Sequence, residues 1–391
     1  MTLEKTGYPT APKTETCILV CVADKNNAKD KSEEYLEELE LLASTAGAIT
    51  IKKIVQKLIH PDPKTYIGKG KVEELALFVK DNKVDLVIFD DELSPSQIRN
   101  IENNLPDIKI MDRSGLILDI FAKNAKTAQA SLQVELAQMQ YLMPRLTKMW
   151  THLTKHAGGI GTRGPGEKEI ETDRRIIRNN INILRDKLKK IEQQSEVQRK
   201  NRHEKINISL IGYTNAGKST VMNALTQANV LAENKLFATL DATVRQWQLQ
   251  NEEGTIFHCL LADTVGFIRK LPHTLIESFK STLAVAKEAD ILLHVVDVSH
   301  PEFENHIEIV NDTLKEIGVL DKQTILVLNK IDLLEKNLEE NIKDFKNNWI
   351  SKENWPVVFI SASHKTNIND LKNIILKQIE NNAAFKTIYK G

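Results

Sequence analysis

The chain has few of the features that would assign it to several large classes of protein. Its 391 residues include three cysteines, Cys17, Cys21 and Cys259. They form no CxxC pair and no plausible zinc set, which argues against an oxidised framework and a structural zinc site. Each sits in an apolar run, so all three are expected in the core of a protein from a reducing compartment. No uninterrupted apolar stretch approaches the length needed to cross a bilayer. The opening MTLEKTGYPT holds no apolar signal segment, and a cytoplasmic location is expected. Net charge is also lacking, with 53 basic and 53 acidic side chains. That balance hides an asymmetry. Phe121 to Lys205 holds 18 Lys and Arg against 9 Asp and Glu, leaving 35 against 44 elsewhere. A basic block on an otherwise acidic chain points to a phosphate-rich partner at that block.

With 41% hydrophobic and 27% charged residues, the composition is that of an ordinary soluble protein, long enough for two or three domains. Residues 1–121 alternate strand-like runs (TCILVCVA, AITIKKIVQKLI, VDLVIFD, IKIMD) with helical patterns (KSEEYLEELELLAS, KVEELALFVKDN, SPSQIRNIENNL). Alternation of this kind predicts a small α/β domain. Its Gly/Lys-rich turn from Tyr66 to Lys71 has the composition of a phosphate-holding loop, and equally of a polar turn before a helix.

Residues 122–205 read differently. Leu132, Leu136, Met139, Met143 and Leu146 recur at spacings of 4 and 3, and Ile177, Ile181, Leu184, Leu188 and Ile191 repeat the pattern. Two narrow apolar stripes joined by a loop predict an antiparallel helical hairpin. The first arm, from Ala128 to Lys155, would reach roughly 40 Å, with a kink at Pro144. The joining loop, His156 to Arg175, carries Gly158, Gly159, Gly161, Gly164 and Gly166, with Arg163 among them and Lys155, Lys168, Arg174 and Arg175 beside them. Backbone without Cβ atoms approaches a crowded surface closely, and arginine pairs with phosphate or stacks on bases. The loop is therefore expected to be an RNA-probing tip.

Residues 206–381 carry the chemistry, followed by a tail at 382–391. Gly212, Tyr213, Thr214, Asn215, Ala216, Gly217, Lys218 and Ser219 read GYTNAGKS between an apolar strand and a helical run. A strand feeding a glycine loop and a helix start cradles a triphosphate in backbone N–H groups. Lys218 would neutralise the outer phosphates and Ser219 would put its hydroxyl on magnesium. Asp263, Thr264, Val265 and Gly266 close another strand, where the carboxylate can hold a magnesium-bound water and the Gly266 N–H can face the γ-phosphate. Asn329, Lys330, Ile331 and Asp332 close a third. Asp332 can accept from N1–H and the amino group of guanine, a donor pair that adenine lacks. Ser361, Ala362 and Ser363 follow a fourth strand, where a backbone N–H can reach guanine O6. Four such motifs in this order, each at the carboxyl end of a strand, predict a GTPase domain on a doubly wound, mostly parallel sheet.

The magnesium threonine should lie between Ser219 and Asp263. Thr239 and Thr243 are both candidates, and Thr239 is favoured because FATLD is irregular, as a first switch should be. Asp263 to about Ser278 is the expected second switch. Lys218, Thr239 and Gly266 form the expected catalytic set. Where many GTPases have a glutamine after Gly266, this chain has Phe267, which predicts slow hydrolysis without a partner.

The combination of GTRGPGEKEIETDRR, GYTNAGKST, LFATLD, DTVGFIRKLPH and NKID, with YIGKGKVEEL upstream, resembles the ribosome-associated HflX GTPases of the Obg–HflX superfamily. The resemblance implies GTP and GDP as ligands, with Mg2+ on Ser219 and Thr239. It implies a nucleotide site that also takes in Phe237, Ala238, Thr239, Leu240 and Asp241. It further implies association with the large (50S) ribosomal subunit near the peptidyl-transferase centre, and splitting or rescue of stalled ribosomes. An apolar residue at Phe267 fits the same family. A monomer is expected.

Overall fold

In a computed structural model, the structure describes residues 15–25, 31–106, 108–146, 165–200, 205–226, 236–237, 243–272, 275, 285–334 and 355–382. The chain divides into two compact units, Met1–Ile120 and Phe121–Gly391.

The first unit is built on four strands, β1 (Thr16–Asp24), β2 (Ile49–Leu58), β3 (Leu86–Phe89) and β4 (Lys109–Asp112). They lie in the order β2-β1-β3-β4, and every pairing is parallel. Helices α1 (Ser32–Ala46), α2 (Lys69–Asn82) and α3 (Pro95–Asn104) alternate with them. Parallel strands covered by helices need near-continuous apolar runs. Ile18 and Val20 of β1 and Val87 and Phe89 of β3 accordingly pack on Val72, Leu75 and Ile101. Ser94 starts α3 with a capping box to Gln97, and Pro95 occupies the first turn, where a missing N–H costs nothing.

Two features of this unit bear on the sequence pattern. The Gly68 N–H, at the cap of α2, already donates to Gln56 Oε1 at 2.9 Å, and Lys71 pairs with Glu74 at 2.7 Å. The Tyr66–Lys71 turn is thus satisfied by its own neighbours, as a helix-entry turn is. A fourth helix, α4 (Arg113–Asn124), follows β4 directly and was not foreseen. Asp112 caps it by accepting from the Gly115 N–H at 2.8 Å. The fully buried Arg113 anchors it, pairing with Asp90 at 2.9 Å and also with Glu38.

The second unit begins within α4 and contains a helical pair and a six-stranded sheet. Helix α5 (Ala128–Leu142) starts at Thr127, whose hydroxyl accepts from the Ala130 N–H at 3.1 Å. Helix α6 (Pro165–Lys200) packs on α5 through Leu136, Ile181 and Leu184, flanked by Leu132, Met139, Met143, Ile177 and Leu188. These are the two predicted stripes.

The helix boundaries need correcting. Residues 147–155 of the expected first arm lie outside the described residues. Helix α5 stops at Leu142 and a 3₁₀ turn covers Met143–Arg145, because proline has no N–H to donate and its ring crowds the carbonyl four residues back. Nor is the whole of His156–Arg175 a loop. From Pro165 it is helical, since proline at the first helical position is pre-set for a helix.

The sheet comprises β5 (Ile206–Ile211), β6 (Thr243–Gln250), β7 (Ile256–Asp263), β8 (Ile291–Asp297), β9 (Gln323–Asn329) and β10 (Val357–Phe359). Its order is β10-β9-β8-β5-β7-β6, with β6 antiparallel to β7 and the rest parallel. Helices α7 (Lys218–Thr226), α8 (Phe303–Glu316) and α9 (Ile368–Asn381) accompany it. One apolar cluster joins Leu210, Leu293 and Val327 to Val221 and Leu371, and another joins Ile211, Phe267 and Leu292 to Val310 and Leu314.

Candidate functional site

The carboxyl ends of β5, β7, β9 and β10 bring the four predicted motifs into one constellation. Strand β5 ends at Ile211 and α7 begins at Lys218, so the intervening glycine loop is short and tightly turned. Gly217 takes φ +95°, and a Cβ there would lie 2.4 Å from Asn329 Nδ2. Only glycine fits both the backbone and the contact. Gly266 meets the same loop from β7. A Cβ on it would come within 2.8 Å of Thr214 Cα and 3.0 Å of Lys218 Nζ.

Backbone hydrogen bonds fasten the second motif to the first. The Phe267 N–H donates to Gly212 O at 3.1 Å, and the Thr214 N–H donates to Phe267 O at 2.7 Å. The Phe267 side chain is 2% exposed and belongs to the apolar core. Thr264 reaches back to β5, its hydroxyl donating to Leu210 O at 2.7 Å.

Lys218 is buried, its ammonium donating to Gly212 O at 3.0 Å and Tyr213 O at 2.8 Å. Burial pulls it down to about 8, with the nearby Asp263 carboxylate acting in the opposite direction. The Ser219 hydroxyl donates to Asp263 Oδ2 at 2.6 Å, and Asp263 is fully buried. A hydroxyl beside a carboxylate is an all-oxygen donor pair, which suits a hard divalent cation such as Mg2+. The glycine loop in turn is a backbone cradle of the kind that phosphates occupy.

Asn329 ties three motifs together. Its Nδ2 donates to Ala216 O at 2.9 Å, and its Oδ1 accepts from the Ala362 N–H at 3.0 Å. Lys330 has φ 67° and pairs with Asp297 at 2.6 Å. Asp332, in the 3₁₀ turn Ile331–Leu333, is held below the usual carboxylate range, chiefly by the Ser361 hydroxyl.

Some expected site residues direct their side chains to other partners. The Tyr213 ring stacks on His306 of α8, with centroids 3.9 Å apart, and its hydroxyl accepts from the Arg269 N–H at 3.0 Å. Phe237, at φ 55°, is buried edge-on against Phe121, and its carbonyl accepts from Asn124 Nδ2 at 3.0 Å. Only its backbone remains for a ligand. Ala238, Thr239, Leu240 and Asp241 lie outside the described residues, as do residues 273, 274 and 276–278 of the expected second switch. Thr243 opens β6, opposite Asp263 in the register. Of the expected RNA contacts, Lys155, Gly158, Gly159, Gly161, Arg163 and Gly164 also lie outside. Gly166, Lys168, Arg174 and Arg175 are on α6, with Arg175 exposed and Arg174 half-buried.

Sequence reasoning missed His294. It sits mid-strand on β8, fully buried, with no hydrogen-bond partner at either ring nitrogen. Burial first, and the Lys218 charge second, push it down to about 3. The signal was a lone polar residue in the apolar run ILLHVVD.

Residues 33–122 match the family model described as GTP-binding GTPase N-terminal, 124–202 that of the GTP-binding GTPase Middle Region, and 207–330 that of the 50S ribosome-binding GTPase. The GTPase HflX of Flavobacterium psychrophilum is 48% identical over 379 residues, covering 93% of this chain and 90% of the relative. That of Caldanaerobacter subterraneus is 45% identical over 367 residues, covering 93% and 81%. That of Escherichia coli is 47% identical over 309 residues, covering 78% and 71%. Among solved structures, SsGBP in complex with GDP aligns over 93% of this chain and 98% of its own, at TM-score 0.53 and 26% identity. The chain belongs to the HflX GTPase family and is a GTP-hydrolysing enzyme.

Proposed function

We propose that this GTPase associates with the large ribosomal subunit and splits or rescues stalled ribosomes, with GTP hydrolysis resetting the cycle. In this reading the loop from Gly212 to Ser219 wraps the phosphates with backbone N–H groups. The Lys218 ammonium swings from the loop carbonyls to the phosphate oxygens, which are better acceptors because they carry full charge. Ser219 and Thr239 would hold Mg2+, which offsets charge on the phosphate oxygens. The Gly266 N–H faces the γ-phosphate and Asp332 accepts from guanine. Phe267, apolar and packed into the core, has no group to orient a water, so hydrolysis by the isolated chain is slow and a partner supplies what is missing.

The observation that carries the proposal is the outer face of α6. Arg175, Arg178, Arg185, Lys187, Lys189 and Lys190 are all exposed there, while the opposite face packs on α5. A basic rod in the same chain as a GTP switch is suited to ribosomal RNA. The glycine-rich segment around Arg163 would be its contact nearest the peptidyl-transferase centre. The test is co-sedimentation of the full chain with large subunits in a non-hydrolysable GTP analogue. Binding is expected to fall steeply with salt, as counterion release requires. Failure to co-migrate even at low salt would overturn the proposal.

A further inference from the structure

We propose that His364 is a positioning residue for guanine recognition. As a cation it competes with the base for the Asp332 carboxylate, so guanine nucleotides bind more weakly as His364 gains its proton. The inference rests on the reading of Asp332 as the acceptor for guanine.

The loop that carries His364 is firmly built. Ser361 and Thr366 exchange backbone hydrogen bonds at 3.2 and 3.0 Å, closing residues 361–366 into a small ring. Asn367 Nδ2 donates to Phe359 O at 3.0 Å, and the Ala362 N–H is held by Asn329. The His364 N–H donates to Ser361 Oγ at 3.2 Å. Its ring Nδ1 lies 3.2 Å from both Ser361 Oγ and Ser363 Oγ, and 3.4 Å from Asp332 Oδ2. The imidazole is therefore directed at the carboxylate assigned to the base, while its side chain stays 68% exposed and open to solvent protons.

Two lysines flank this pair, and the Lys330 charge also acts on Asp332. Lys330, just before the turn that carries Asp332, is already paired with Asp297 of β8 at 2.6 Å. Lys365, the next residue in the loop, takes φ 57° and is exposed. His364 is thus the side chain in contact with Asp332 that can take up a proton. An imidazolium at this distance draws charge from the Oδ2 oxygen and weakens the carboxylate as an acceptor for the N1–H and amino group of guanine. The neutral ring leaves the carboxylate with its full acceptor strength.

The experiment measures the dissociation constant of GDP for the full-length protein between about pH 7.5 and about pH 5.5, with ADP as competitor. Wild type, His364→Asn and His364→Lys are compared, and all three keep the titration of the nucleotide's own phosphate in common. Wild type is expected to weaken about threefold more than His364→Asn over that range, the size of effect that a half-exposed ion pair supports. His364→Lys should bind GDP about threefold more weakly than His364→Asn even at the upper pH. Identical pH profiles for wild type and His364→Asn, with GDP still preferred over ADP, would overturn the role of His364 and leave that of Asp332 intact. Equal competition by ADP in wild type would instead overturn the reading of Asp332 on which the inference stands.

Discussion

Asn124 Nδ2 donates to the carbonyl oxygen of Phe237 at 3.0 Å, and the Phe237 ring meets Phe121 edge-on with centroids 4.7 Å apart. Phe121 and Asn124 end the helix that leads into the basic helical pair, and Phe237 opens the expected first switch. On the proposed function, this clasp would link the first switch to the arm. Asn124→Ala is expected to cost about 1 kcal/mol of stability, as for loss of one hydrogen bond. It should leave GDP affinity near wild type while shrinking the difference in ribosome binding between GTP-analogue and GDP states. Paired sedimentation assays in the two nucleotides check this.

Asn329 braces the glycine loop against the Ser361–Ser363 segment. Asn329→Ala removes both contacts and leaves the buried Ala216 carbonyl and Ala362 N–H without them. A loss of about 2–4 kcal/mol in GDP binding is expected. Isothermal titration of the folded variant, with circular dichroism to confirm folding, measures it.

Lys218 should couple nucleotide binding to protons. Its folded value is about 8 against an ordinary 10.5. Between those values the unfolded chain holds more protons than the folded one, so stability of the nucleotide-free protein rises with pH across that window. Phosphates stabilise the ammonium and reverse the shift, so GDP binding near pH 8 to 9 should take up protons. Titrations in buffers of different ionisation enthalpy will show the uptake in wild type and not in Lys218→Met.

His294 gives the acid side of the stability curve a specific origin. Its folded value is about 3 and its ordinary value 6.5. As pH falls below 6.5 the unfolded chain takes up a proton that the folded chain refuses until about 3. Stability is therefore whole above that window and lost progressively within it. His294→Leu should flatten this loss in urea unfolding series at pH values inside and above the window. An unchanged slope in the variant would remove His294 from the account.

The nucleotide motifs were legible because each is local, a few residues at the end of an apolar strand. The two stripes from Leu132 and Ile177 were legible because helical spacing repeats. What escaped depends on contacts distant in sequence. The segment after Asp112 escaped because GLILDIF resembles a buried strand, and only the Arg113 pairing with Asp90 and Glu38 shows why it is a helix. Phe267 was read as apolar, yet its backbone pairing with Gly212 and Thr214 depends on how β7 ends beside β5. Nothing local to GYTNAGKS says that the Tyr213 ring stacks on His306, 93 residues later in the numbering, while its carbonyl stays in the loop. Helix α5 gives way to a 3₁₀ turn at Met143–Arg145, and α6 begins at Pro165, inside the expected loop. In both places the proline's own geometry set the boundary.

The most direct measurement of the central claim is ribosome splitting followed by light scattering. Wild type is compared in GTP and in GDP, alongside a variant carrying Arg178→Glu, Arg185→Glu and Lys189→Glu on the exposed face of α6. The account predicts splitting by wild type in GTP alone and its loss in the variant, whose GDP affinity stays unchanged. Equal splitting in GDP, or full activity in the charge-reversed variant, would contradict it.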